Sequence, residues 1–278
     1  MLQKPNSELS KQIKFFLFTH DIELAKKAEE ALIDSIVVDW EIKNKQLRQS
    51  SYDMEADICE PEQLAVLAKQ INLPVTVRIN SFGPHTSSEV SYAINNGASI
   101  LMLPMAKSVH EVNEFLAMVN GKAQTIVQIE TAELIQQIEQ LKNLSWDYVY
   151  IGLNDLMISC NYSFIWESLC NGTVEMICEK LKGRNYGFGG ITVLGGGDPI
   201  GIESLIHEYT RLTCSLVFLR RSFKKEILDR NMKTEIAVVR KFIDGSFQRG
   251  PQAQEFDRQK LQKILHGLSR KEKNVLAN

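Results

Sequence analysis

The sequence predicts an α/β fold, a (β/α)8 TIM barrel with extra C-terminal helices, and three observations carry that expectation. Short apolar runs alternate with helix-like segments, and eight such units can be counted. Runs such as Ile36-Val37-Val38 and Ile100-Leu101-Met102-Leu103 are apolar throughout, as strands covered by helices on both faces are. Four of the runs end in charged or polar residues: Val75-Thr76-Val77-Arg78, Ile126-Val127-Gln128-Ile129-Glu130, Val149-Tyr150-Ile151-Gly152-Leu153-Asn154-Asp155 and Leu216-Val217-Phe218-Leu219-Arg220-Arg221. A parallel barrel places all its strand C-termini on one face, where its active sites are built. A doubly wound open sheet would give the same alternation, so the count of eight is what favours the barrel.

The elements follow in order. Strand one is Ile13 to Thr19, followed by a helix from Asp21 with Leu24, Ala28 and Leu32 on one side. Strand two is Ser35 to Asp39; a polar loop then runs to Glu60, and Pro61 opens a helix at its first turn. Strand three is Pro74 to Ile79, with a helix over Ser87 to Asn95, and Asn96-Gly97 is a usual helix stop before strand four, Ser99 to Leu103. Ser108 with Glu111 forms a capping box that opens the next helix. Strands five and six are Gln124 to Ile129 and Tyr148 to Gly152, with a helix from Ala132 to Leu144 between them. Phe164 to Lys182 is helical with a break at Asn171-Gly172, and strand seven runs from Phe188 to Leu194 into Gly195-Gly196-Gly197-Asp198. A helix carrying Ile202, Leu205, Ile206 and Tyr209 precedes strand eight, Ser215 to Leu219. Beyond Lys224 the pattern is purely helical, with Gln248 to Gln254 as a linker; one helix would close the barrel and the last would reach a neighbouring subunit. The expected division is a tail over 1–12, a catalytic barrel over 13–230 and a helical extension over 231–278.

Composition narrows the function classes. The chain has 278 residues, 44% hydrophobic and 24% charged, with net charge -2. That is ample core material for one barrel and no support for a nucleic-acid partner. The basic stretch from Lys260 to Lys273 is interspersed with leucines and reads as an amphipathic helix. The five cysteines are odd in number and none forms a Cys-x-x-Cys pair, so reduced thiols of a cytoplasmic protein explain them better than disulfides or zinc. Met1 to Ser10 lacks the apolar stretch of a signal peptide, and no apolar run approaches the ~20 residues of a membrane helix.

The strand ends supply the chemistry. Glu130 and Asp155 end adjacent strands, and two carboxylates with waters and substrate oxygens suit Mg²⁺ or Mn²⁺. Equally, Glu130 would cap the next helix and Asp155 a turn. Arg78 matches a carboxylate bidentately, either a substrate's or, structurally, that of Asp39 or Glu41. Alternation sends Asp39 and Glu41 to one side and Trp40 to the other. Gln128 shares the inward face of Glu130 and reads as a ligand for a metal water or substrate oxygen, or as a satisfied core residue. Gly195 and Gly196 would let backbone amides approach an anion, or form a flexible turn. Arg220 and Arg221 point in opposite directions, so one of them enters the mouth as an anchor for carboxylate or phosphate. His20 and His85 follow strands one and three and are candidate bases.

These residues resemble the HpcH/HpaI aldolase and citrate lyase β-subunit superfamily over about residues 13 to 223. The likeness rests on Asp39-Trp40-Glu41 with Lys45 and Arg48, Val77-Arg78, Ile100-Leu101-Met102-Leu103-Pro104, Val127-Gln128-Ile129-Glu130-Thr131 and Ile151-Gly152-Leu153-Asn154-Asp155-Leu156. The resemblance implies that Glu130 and Asp155 bind Mg²⁺ or Mn²⁺, that Arg78 and Gln128 hold a pyruvate-like or acyl substrate, and that the barrel is a homo-oligomer, trimer or hexamer, with an exchanged terminal helix. Two departures mark a side branch. Ile42 stands where the aldolases place a histidine base and the citrate lyases an acid, and Leu219-Arg220-Arg221-Ser222-Phe223 fits neither pattern. The function expected is a metal-dependent carbon–carbon lyase or aldolase acting on a small anionic keto acid or acyl substrate, including a coenzyme A thioester. Thioester hydrolysis, phosphoenolpyruvate-type chemistry and a non-catalytic binding subunit are the alternatives.

Overall fold

The computed structural model describes residues 13–41 and 60–276, with side chains to residue 270. The tail over 1–12 and the positions of Ile42, Lys43, Lys45 and Arg48 lie outside the described residues. The strands are β1 (Lys14–Phe18), β2 (Ser35–Asp39), β3 (Val75–Arg78), β4 (Ile100–Leu103), β5 (Gln124–Ile129), β6 (Tyr148–Ile151), β7 (Tyr186–Phe188), β8 (Gly190–Ile191) and β9 (Leu216–Leu219). All neighbours pair in parallel, in the order β7-β6-β5-β4-β3-β2-β1-β9-β8. β2, β4, β6 and β9 are buried at every position, which is why their sequences are apolar without alternation.

Nine strands occupy eight barrel positions because the seventh is split. β7 pairs with β6 through Val149 and Tyr186, while β8 pairs with β9 through Gly190 and Phe218. Gly189, at φ +58°, turns the chain between them. The ring closes where the Ser215 amide donates to the Tyr186 carbonyl at 2.7 Å. At Gly187 the backbones approach so closely that a Cβ would lie 1.8 Å from the Leu216 carbonyl oxygen. The sequence reading placed this strand at Phe188 to Leu194. It enters at Tyr186 and leaves at Ile191, and the Val193 carbonyl already accepts the Gly196 amide in a turn. The closure needs glycines at 187, 189 and 190, and these erase the apolar pattern by which a strand is recognised.

Two cores result from strand alternation. Phe16, Val37, Ile100, Met102, Ile126, Tyr148, Tyr150, Leu216 and Phe218 fill the barrel interior. Phe15, Leu17, Val38, Leu101, Val127 and Val149, from the opposite strand faces, belong to the larger core shared with the helices. Each such burial stabilises the fold by about 1.5–3 kcal/mol.

The barrel helices begin at the expected caps. α1 (Ile22–Glu30) starts at Asp21, whose Oδ1 accepts the Leu24 amide at 2.7 Å. Pro61 opens α2 (Pro61–Gln70), and α3 (Thr86–Asn95) follows β3. At α4 (Val109–Val119) Ser108 accepts the Glu111 amide, but Glu111 reaches back to the Lys107 amide, one residue outside the expected box. Ala132 to Leu144 is not one helix but two, α5 (Ala132–Ile135) and α6 (Ile138–Leu141). The Gln137 side chain at the break holds the Val109 amide and the Lys107 carbonyl at the start of α4. A short α7 (Leu153–Ser159), which the sequence reading took for a strand end, follows β6 directly. α8 (Glu167–Cys170) and α9 (Thr173–Lys180) are separated at Gly172, φ +82°, as expected. α10 (Ile202–Arg211) precedes β9 and α11 (Arg221–Glu226) follows it.

Two longer helices finish the chain, α12 (Met232–Phe247) and α13 (Pro251–Leu276). On α12, Arg240 bonds the Leu32 carbonyl and Asp34, each at 2.9 Å, beside the entrances of β1 and β2. The linker is three residues, 248–250, because Pro251 starts the next helix. α13 packs on α10 and α8 of its own barrel, burying Leu261 and Leu265. Arg258 pairs with Glu175 at 2.9 Å, and Asp257 with Arg249 at 2.6 Å and His207 at 3.4 Å. Among the described residues no helix is long and apolar enough to cross a membrane.

Gly187→Ala should destabilise the barrel by about 3 kcal/mol or more, since the added methyl meets backbone that cannot rotate away. Thermal unfolding of the purified variant checks this, and an unchanged melting temperature would mean that β7 and β9 can separate without cost.

Candidate active site

The inward register of the strands brings the predicted residues to the C-terminal mouth. Arg78, at the end of β3, directs Nε and Nη2 onto Asp39 Oδ1 and Oδ2 at 2.9 and 2.7 Å, and Nε lies 3.5 Å from Glu41 Oε2. The structural pairing is therefore made. Burial opposes the cation, but Asp39 and Glu41 outweigh that penalty and hold the guanidinium charged more firmly than usual. Asp39 and Glu41 share one direction, and Trp40 turns outward beside Tyr92 of α3, as alternation required.

Glu130 does not cap the next helix, because Thr131 does so by accepting the Leu134 amide. Its buried carboxylate accepts Gln128 Nε2 at 2.9 Å and the Met105 amide at 3.1 Å. Met105 adopts φ +53°, a left-handed conformation at the rim after β4. Asp155 is buried in the first turn of α7, whose N-cap is Gly152. Gly152 must be glycine, since a Cβ there would stand 2.2 Å from Glu130 Oε1. Burial raises the Glu130 carboxyl well above its ordinary value of 4.5, the charges of Asp155 and Glu41 raise it further, and Arg78 and the Met105 amide only partly offset them. The charges of Asp39, Glu41 and Glu130 thus act on one guanidinium, with Asp155 acting on Glu130, and among the described residues no three metal-ligating side chains are close enough to hold an ion unaided.

Beneath these groups lies an aromatic floor. Tyr150 stacks on Phe218 at 3.9 Å, Phe18 meets Phe218 edge-on at 5.3 Å, and the Arg78 guanidinium lies 4.9 Å from the Phe18 ring centre. Tyr150 donates its hydroxyl to the Gly189 carbonyl. Burial pushes its phenol well above 10, as do Tyr209 and Glu130, against the opposing influence of Arg220 and Arg78.

The two strand-eight arginines divide. Arg220 continues the inward register of Leu216 and Phe218, with Nε on the Gly190 carbonyl at 2.7 Å. Arg221 is exposed as the first residue of α11 and does not continue that inward register. The glycine loop spends its amides within the protein. The Gly195 amide donates to Glu203 at 2.7 Å and the Gly196 amide to the Val193 carbonyl at 3.1 Å, so neither is presented to an anion. His85 bonds the Ser81 carbonyl at 3.0 Å within its own loop. His20 is half-buried beyond β1 on the same rim. Gly152, Met105, Tyr150 and Trp166 were not read as site residues. Gly152 and Tyr150 had a signal, because they share the inward parity of Tyr148; Met105 and Trp166 had none.

No family model matches the chain, and no curated protein matches it. Among solved structures, it is similar to citrate synthase SbnG, with TM-score 0.59 and 15% identity over 84% of this chain and 96% of that one. It is also similar to RipC from Yersinia pestis, with TM-score 0.51 and 13% identity over 88% and 99%. A citrate lyase from Burkholderia xenovorans LB400 gives TM-score 0.56 and 11% identity over 86% and 78%. The shared feature at these identities is the fold, the α/β barrel that the sequence resemblance implied.

The raised carboxyl has a consequence for stability. A group that keeps its proton longer in the native state than in the unfolded chain costs stability as pH rises from about 4.5 through the native value. In protein stripped of divalent ions, Glu130→Gln should therefore raise the neutral-pH Tm. The gain should vanish below pH 4.5. Differential scanning calorimetry at both pH values decides, and a lowered neutral Tm would show that the Glu130 charge is well compensated.

Proposed function

We propose that this protein is a divalent-metal-dependent carbon–carbon lyase, cleaving a keto acid or an acyl substrate, coenzyme A thioesters included, through an enolate. The observation that supports it is the meeting of Glu130, Asp155 and Gln128 beside Arg78 at the mouth. A carboxylate just after β5, another in the first turn of α7, an excess of negative charge and a buried amide oxygen, Gln128 Oε1, without a partner among the described residues fit Mg²⁺ or Mn²⁺. Glu130 and Asp155 would hold the ion, and bound there it supplies positive charge where the enolate oxygen develops.

The chain's own groups do the rest. Asp39 fixes two guanidinium nitrogens of Arg78, so Nη1 is oriented toward a substrate carboxylate. Glu130 aligns the Gln128 amide, whose Oε1 accepts a proton-bearing group of the substrate. The floor of Phe18, Phe218 and Tyr150 keeps water from the developing carbanion. With position 42 an isoleucine and His85 bound in its loop, we assign the hydroxyl proton to His20. The names of the neighbours, citrate synthase and citrate lyase, support lyase-type chemistry in general. The engaged amides of Gly195 and Gly196 weigh against a phosphoenolpyruvate reading built on that loop. The family resemblance further supports a cytoplasmic homo-oligomer, a trimer or hexamer.

The test is a Mg²⁺- or Mn²⁺-supplemented screen of hydroxy-keto acids and hydroxyacyl thioesters for pyruvate or acetyl release. Arg78→Lys should lower kcat/KM by about 10- to 100-fold, because an ammonium keeps the charge but not the planar fork. Glu130→Ala should abolish both turnover and Mn²⁺ binding followed by electron paramagnetic resonance. Full activity in Arg78→Lys, or unchanged Mn²⁺ affinity in Glu130→Ala, would sink the assignment.

A further inference from the structure

Arginines elsewhere in the chain show what structural pairing looks like. Arg211 is held by Glu208 and Glu175, and Arg240 by Asp34. Arg184 has no carboxylate partner among the described residues but bonds three carbonyl oxygens, those of Lys142, Leu144 and Trp146, while lying 3.9 Å over the Trp146 ring. Arg220 matches neither pattern. It spends Nε on the Gly190 carbonyl, lies 5.1 Å over Trp166, and leaves Nη2 buried without a partner among the described residues. Among the described residues no carboxylate is within ion-pair reach of it. An unpaired buried donor on a permanent cation costs stability unless something completes it.

The backbone makes room for this arrangement. A Cβ on Gly190 would stand 2.8 Å from Arg220 Cγ, and one on Gly197 would stand 3.4 Å from Nη1. The glycines around the arginine therefore clear its path, and their amides are not what would bind an anion. Across the mouth, Tyr150 and Phe218 form continuous aromatic surface between Arg220 and the Arg78 end, with Phe18 under Arg78. This aromatic surface carries a guanidinium at each side.

We propose that Arg220 binds a second anionic group of the substrate, a carboxylate or a phosphate, so that the fragment released opposite the enolate carries its own negative charge. This rests on the lyase reading for which group lies at Arg78, and adds the class of the other half. Arg221 takes no part, and the apolar floor carries the carbon chain between the two anions.

The experiment is calorimetric binding in Mn²⁺ of pyruvate and of 2-oxo diacids of increasing length (oxaloacetate, 2-oxoglutarate and 2-oxoadipate), with phosphonate counterparts. One diacid or phosphonate should bind about 10- to 100-fold more tightly than pyruvate, the range of a charge-assisted hydrogen-bonded pair. Arg220→Met should bring that ligand down to the affinity of pyruvate, and Arg220→Lys should keep part of the advantage. The better of the matched carboxylate and phosphonate identifies the group. The inference is overturned if no dianion outbinds pyruvate on the unaltered protein, or if the preference survives Arg220→Met in a variant that melts as the parent does. Arg220-dependent dianion binding without cleavage in the screen would sink the lyase reading and leave this inference standing. Turnover without a dianion preference would do the reverse.

Discussion

The fork between Arg78 and Asp39 is the interaction on which the mouth depends. Asp39, Glu41, Glu130 and Asp155 bring four buried carboxylates to the mouth of a barrel filled by aromatic and aliphatic side chains. Charge in such surroundings is expensive unless paired. The two short bonds from Arg78 to Asp39 hold the guanidinium at the centre of this group, and its charge acts on Glu130 as well. One paired acid and a shared cation leave Glu130 under-compensated. A divalent ion relieves an imbalance of this kind, and that is how a charge distribution becomes a reading of function.

The same mouth depends on glycines used as absences. Gly152 lets the Glu130 carboxylate lie against the chain leaving β6, and Gly187 lets β7 pass close to β9. Gly190 leaves space for the stem of Arg220. A side chain at any of these positions would move a functional group or open the barrel. The site is therefore tied to closure of the sheet, since Gly189 and Gly190 lie at the break in the split strand and their carbonyls accept the hydrogen bonds of Tyr150 and Arg220. Stability and ligand placement share these few residues.

Reading the strands from their apolar runs succeeded where both faces are buried. β2 and β5 run over the residues expected, and the strand ends named Arg78, Gln128, Glu130 and Asp155 before any geometry was available. The reading slipped where glycine replaced apolar side chains, at β7 and β8, and where a short helix follows a strand without a polar break, at Leu153. Ala132 to Leu144 looked like one helix because periodicity does not register a glutamine that bonds backbone across the fold.

The sequence by itself determined the barrel, the order of its strands and the acid–arginine chemistry of its mouth, because buried parallel strands and their polar ends leave a local imprint on residue order. Only the tertiary structure decided which strand-eight arginine enters the mouth, because Phe218 and Leu219 are equally apolar and parity has no absolute origin in the sequence. It also decided that Asp39 pairs with Arg78, that Thr131 and not Glu130 caps its helix, and that the amides of Gly195 and Gly196 face inward to the protein's own oxygens. Each of these is a choice among partners equally available along the chain, and it is made by distances between residues far apart in sequence.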